Sequence, residues 1–125
     1  MSTLVVATLK SNSSSPPAFQ NTSGTEVGTL CRAWVNFNGT GTVAIRAQFN
    51  VSSITDNGTG DYTVNFTNAL ADANYCALAT GGHTDFLNWL GQGPAGSPTT
   101  GSWRVYGGTL ASKSDLAFMY VAVFR

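Results

Sequence analysis

Charge is scarce in this chain of 125 residues: six basic and six acidic side chains cancel, and together they are 10% of the sequence. Phosphate recognition needs a basic stripe, so nucleic acid is not expected as a partner. Histidine is scarcer still. His83 stands alone, so no His pair can hold a metal, and neither Cys-X-X-Cys nor His-Glu-X-X-His spacing occurs. No metal or other cofactor is expected. The P-loop and dinucleotide glycine signatures are missing as well, since the glycines fall in turns. Long apolar runs are absent. The longest, residues 116–124, fits a buried strand rather than a membrane span, and no membrane insertion is expected. An apolar stripe of 3.6-residue period is also lacking, which excludes a helical domain.

Two cysteines, Cys31 and Cys76, could pair. The first residues, however, lack the basic start and apolar run of a secretory signal, so both thiols are expected reduced and buried. For the same reason the Asn-X-Ser/Thr triplets beginning at Asn12, Asn21, Asn38, Asn50, Asn57 and Asn65 carry no expectation of glycosylation.

What is present is enough to fold. A content of 42% hydrophobic and 11% aromatic residues is too high for a chain that never packs, and the length fits one domain. Residues 1–30 stand apart: a β-branched run at 3–9, a Ser/Asn/Pro cluster at 11–17 and a polar stretch at 21–25 read as an arm or attachment segment, or equally as an edge strand with its loop. From residue 31 to 125 the pattern is β. Ala33, Val35 and Phe37 share one face of a strand, with Arg32, Trp34 and Asn36 on the other. Across the turn at 38–42, Val43, Ile45, Ala47 and Phe49 are expected inward. A second hairpin pairs 51–55 with 61–65, with Tyr62, Val64 and Phe66 inward. Further strands are expected at 75–79, 85–90, 102–106 and 116–124. The fold class is all-β: an antiparallel sandwich or barrel-like domain with a short N-terminal arm.

The catalytic inventory is thin. His83 and Asp85 could orient a base, but no Gly-X-Ser-X-Gly elbow accompanies them. The carboxylates mostly flank turns, where Asp satisfies backbone donors, so no facing acid pair is expected. The chain reads as a non-enzyme. Binding is better supplied: Trp89, Trp103 and Tyr106 fall in the half with long loops, near His83, Asp85 and Arg104. Aromatic faces beside hydrogen-bonding groups suit sugar rings. For any one of these aromatics, a place in the core is the commoner outcome.

The segment Leu30-Cys-Arg-Ala-Trp-Val-Asn-Phe-Asn-Gly-Thr-Gly-Thr-Val-Ala-Ile-Arg46, continued by Ile54-Thr-Asp-Asn-Gly-Thr-Gly-Asp-Tyr-Thr-Val-Asn-Phe66, resembles a recurrent module of tailed-bacteriophage tail-fibre and receptor-binding proteins. The resemblance covers residues 24–75 closely and the far end loosely. It implies a virion protein assembled in the host bacterial cytoplasm, a homo-oligomer (a trimer) in contact with other virion proteins. Two roles follow: a short tail fibre or fibre tip binding a host surface glycan, or a capsid decoration (cement) protein that stabilises the head. The matching residues specify strands and turns rather than a site.

Overall fold

The computed structural model describes residues 3–13, 15–82, 88–93, 98–109 and 112–125, with the side chains of residues 88 and 89 left aside. The chain divides into two units, Met1–Leu30 and Cys31–Arg125. In the first, β1 (Phe19–Gln20) and β2 (Glu26–Gly28) form a small antiparallel ribbon. Asn21 closes its turn: its side-chain oxygen accepts from the amides of Ser23 at 3.0 Å and Thr25 at 2.9 Å, a local bond that Asn makes readily. Residues 3–9, expected as a β-branched run, form no strand, and Leu4, Val5, Val6 and Leu9 are exposed.

The second unit is built from β3 (Cys31–Asn38), β4 (Ala44–Phe49), β5 (Val51–Gly58), β6 (Asp61–Phe66), β7 (Cys76–Gly82), β8 (Asn88–Gln92), β9 (Ser102–Thr109), β10 (Ser112–Lys113) and β11 (Phe118–Phe124). One sheet has the order β4-β3-β11-β7; the other runs β5-β6-β9-β10, with β8 also paired to β9. Every pairing is antiparallel. The sheets form an all-β, sandwich-like domain with no closed barrel and, among the described residues, no helix.

Period two explains the core. Ala33, Val35 and Phe37 of β3 and Met119, Val121 and Val123 of β11 are buried in one sheet, and Tyr62, Val64, Phe66, Trp103 and Val105 in the other. Phe37 meets Tyr62 edge to face, with ring centroids 5.4 Å apart. The chain leaves the first sheet for the second at Asn50, whose φ of 55° is the left-handed region that Asn tolerates. Its side chain holds that corner, donating to the carbonyls of Arg32 at 3.0 Å and Asn68 at 3.1 Å and accepting from Asn68 N–H at 2.8 Å.

Three expectations need correction. Ala47 and Phe49 do not face inward. The β3–β4 register slips between Asn36 and Phe37, so that Phe37 pairs with Ile45 but Asn36 with Ala47. Arg46 is the extra residue of this β-bulge, and beyond it every side chain changes face. Phe49 therefore pairs with Trp34 on the outer surface and is 53% exposed. The cysteines are free, but they are not buried: Cys31 is half-buried and Cys76 exposed. They flank Phe124 from the strands on its two sides. Two strand spacings, about 10 Å, separate them, which is too far for a disulfide. Lastly, the stretch 107–114, left between the strands expected at 102–106 and 116–124, includes the end of β9 and all of β10.

Candidate functional site

Of the residues singled out for binding, Trp103 and Tyr106 lie on opposite faces of one strand, and Arg104 stands beside Tyr106. Trp103 is 3% exposed, inside the sandwich, because it alternates inward with Val105 on β9. Its ring is core, and no ligand on the surface can stack on it. Tyr106 has the opposite parity and lies half-buried on the outer face of the same strand. Trp89 belongs to β8, where its backbone pairs with Gly108. His83 and Asp85 lie outside the described residues.

Around Tyr106 the outer face of β5-β6-β9 is polar and built from strands. Asp61, which pairs directly with Tyr106, is 6% exposed and holds two cations. Arg104 donates through Nε at 2.8 Å and Nη2 at 2.9 Å, and Lys113 through Nζ at 3.2 Å. The same cations border the ring of Tyr106, with Lys113 Nζ 3.5 Å and Arg104 Cζ 5.8 Å from its centroid. This is cation–π geometry. Farther along the face, Asn65 Nδ2 donates to Thr55 Oγ1 at 2.9 Å and Ser53 Oγ at 3.1 Å, and Asn57 Nδ2 to Thr63 Oγ1 at 2.9 Å. Amides, hydroxyls and one aromatic edge thus share a rigid surface. Asp61, Thr63, Asn65 and Lys113 were not among the residues singled out from the sequence; Lys113 falls between the strands expected at 102–106 and 116–124, and its cross-strand neighbour Gly108 offers no signal.

The hydrogen bond from Arg104, with help from Lys113, holds the Asp61 carboxyl below the ordinary aspartate value of 3.8 despite its burial. A lowered folded pKa stabilises above the ordinary value, and that stabilisation is lost as pH falls through the folded one. Arg104 and Lys113 are 35% and 41% exposed, so solvent screens the cluster. Melting curves taken from neutral pH down through the aspartate range should therefore show a loss of stability through this group, reduced by that screening. Asp61→Asn should be less stable at neutral pH and show a shallower acid slope. An unchanged slope would remove the cluster's energetic role.

The outer face of β4-β3-β11-β7 is different in kind. Pairing sets Phe49, Trp34, Ala122 and Leu78 in one row across all four strands, with Tyr120 and Thr80 in the next. Phe49, Trp34, Leu78, Tyr120 and Phe118 are 40–58% exposed. Between Leu78 and Thr80 on one side and Tyr120 and Ala122 on the other runs a groove of about 330 Å³. Arg46 lies at one corner, over the Phe118 ring at 4.7 Å and donating to the Ala117 carbonyl at 2.7 Å.

Among the described residues, no three His, Cys, Asp or Glu side chains are grouped as a metal site. The chain matches no protein-family model, no curated protein and no solved structure.

Proposed function

We propose that this protein is a non-enzymatic structural component of a tailed-bacteriophage particle, a short tail fibre or fibre tip that contacts a glycan on the host surface. The resemblance of residues 30–66 to phage fibre modules supports the virion setting. The observation that carries the binding role is the outer face of β5-β6-β9. There Tyr106, Arg104, Lys113, Thr63 and Asn65 present an aromatic edge, cations, hydroxyls and amides from paired strands. Sugar rings use that combination, setting C–H groups against the aromatic edge and bonding through their hydroxyls.

Competition for the host tests this reading. Purified protein added to host cells before infection should slow phage adsorption several-fold, and Tyr106→Ala should lose most of that effect. Tyr106 is half-buried and outside the core, so the fold should survive the change. Adsorption untouched by the wild-type protein would overturn the receptor role. Particles that then lost heat resistance when stripped of the protein would identify it as a capsid decoration protein.

A further inference from the structure

We infer that two copies of this chain pair face to face through the outer surface of β4-β3-β11-β7. This goes beyond the proposed function, needs nothing from the receptor role, and sets a two-fold pairing in place of the trimer that the resemblance implies.

Area comes first. Five side chains, Trp34, Phe49, Leu78, Phe118 and Tyr120, are each 40–58% exposed on one face. At the 150–250 Å² such side chains can bury, they leave about 500 Å² of apolar surface in one patch. That is at the upper end of what a monomer exposes, and more than half of the roughly 800 Å² that each partner contributes to a standard interface. Ala47, Ala122 and the groove floor extend the patch further.

Charge points to the same occupant. The four strands carry no carboxylate, and their cations are Arg32 and Arg46. Arg46 is engaged at one corner with Ala117 and Phe118, and Arg32 precedes Trp34 at the other end of β3. The middle of the face is therefore neutral, and an identical face can approach it without burying an unpaired ion.

The pattern along the row selects a second copy over an unrelated surface. From β4 to β7 the row reads Phe49, Trp34, Ala122, Leu78: large, large, small, large. A two-fold axis parallel to the strands reverses the row in the partner. Trp34 then stands over Ala122 of the other copy and Phe49 over Leu78, beside the groove that Tyr120 borders. Each contact occurs twice, as an isologous interface requires.

Light scattering on the 125-residue chain at micromolar concentration tests the pairing. The wild type should have twice the 13.1 kDa of one chain. Leu78→Asp and Phe49→Asp change residues that are 58% and 53% exposed, so each should keep the wild-type circular dichroism and fall to the single-chain mass. Serine replacements serve if aspartate disturbs the strand signal. Thr55→Asp, on the other sheet, should remain paired. A single-chain or three-chain mass for the wild type overturns the inference, as does a dimer that survives either face substitution. So does a dimer lost with Val5→Asp, which would place the contact in the arm. A dimer that leaves adsorption untouched would sink the receptor role and leave the pairing in place.

Discussion

Tyr62→Ala should lower the free energy of unfolding by about 3–5 kcal/mol, and Tyr62→Phe by about 1–3 kcal/mol. The ring is fully buried between the sheets and packs edge-on against Phe37. Its hydroxyl ties the hairpins to the loop before β11: its one proton is shared between Asp115 Oδ1 at 2.6 Å and the Gly39 carbonyl at 2.8 Å. Asp115 also accepts from Gly60 N–H at 2.8 Å. Burial, and then the Asp115 carboxylate, push the phenol above its ordinary range, so it stays a donor at any pH the domain survives. Removing the hydroxyl alone leaves the buried Gly39 carbonyl and the half-buried Asp115 carboxylate short of a donor, and removing the ring adds a cavity. Urea unfolding with an unchanged m-value should separate the two costs. A Tyr62→Phe variant as stable as the wild type would make the hydroxyl network incidental.

The second large effect belongs to Gly60, best read against Gly41. Both have φ of 62°, so alanine at either meets the same left-handed strain of about 1–2 kcal/mol. Their surroundings differ. A Cβ at Gly41 meets nothing within 4 Å, whereas one at Gly60 would lie 2.3 Å from the Gly107 carbonyl oxygen and 2.7 Å from Ser114 N. Both of those atoms are backbone and cannot swing aside. Gly60 also accepts from Gly107 N–H at 3.0 Å, a bond the displaced chain would strain. Gly60→Ala should therefore cost about 3–5 kcal/mol, some 2–3 kcal/mol beyond Gly41→Ala. Equal losses at the two sites would mean that the close approach of the strands contributes nothing.

Much of the fold is legible in residues such as Val35 and Val64, whose strict alternation fixes the buried face of each strand without knowledge of its neighbours. Tyr62 was readable as inward, although nothing local announces Asp115, 53 positions away, as its partner. Phe49 marks where alternation fails. A bulge is a property of a pair of strands, and the sequence of β4 alone carries no mark of the residue that β3 will leave unmatched. That one slip turns Phe49 outward and completes the apolar row. The site was less legible for a related reason. Trp103 and Tyr106 are three residues apart, so period two sends them to opposite faces, and composition alone could not say which would meet solvent. The two apolar faces of residues 116–124, by contrast, were plain. β11 lies between β3 and β7, its inner face in the core and Phe118 and Tyr120 exposed.

Placing this domain on a virion is the claim on which the functional account depends, and quantitative mass spectrometry of purified particles tests it most directly. If the proposed setting holds, phage particles released from cells that carry this gene contain the chain as a stoichiometric component, at dozens of copies or fewer for a fibre. Hundreds of copies would move it to the capsid. Its absence from particles, with the protein found only in the lysed host, would contradict the account.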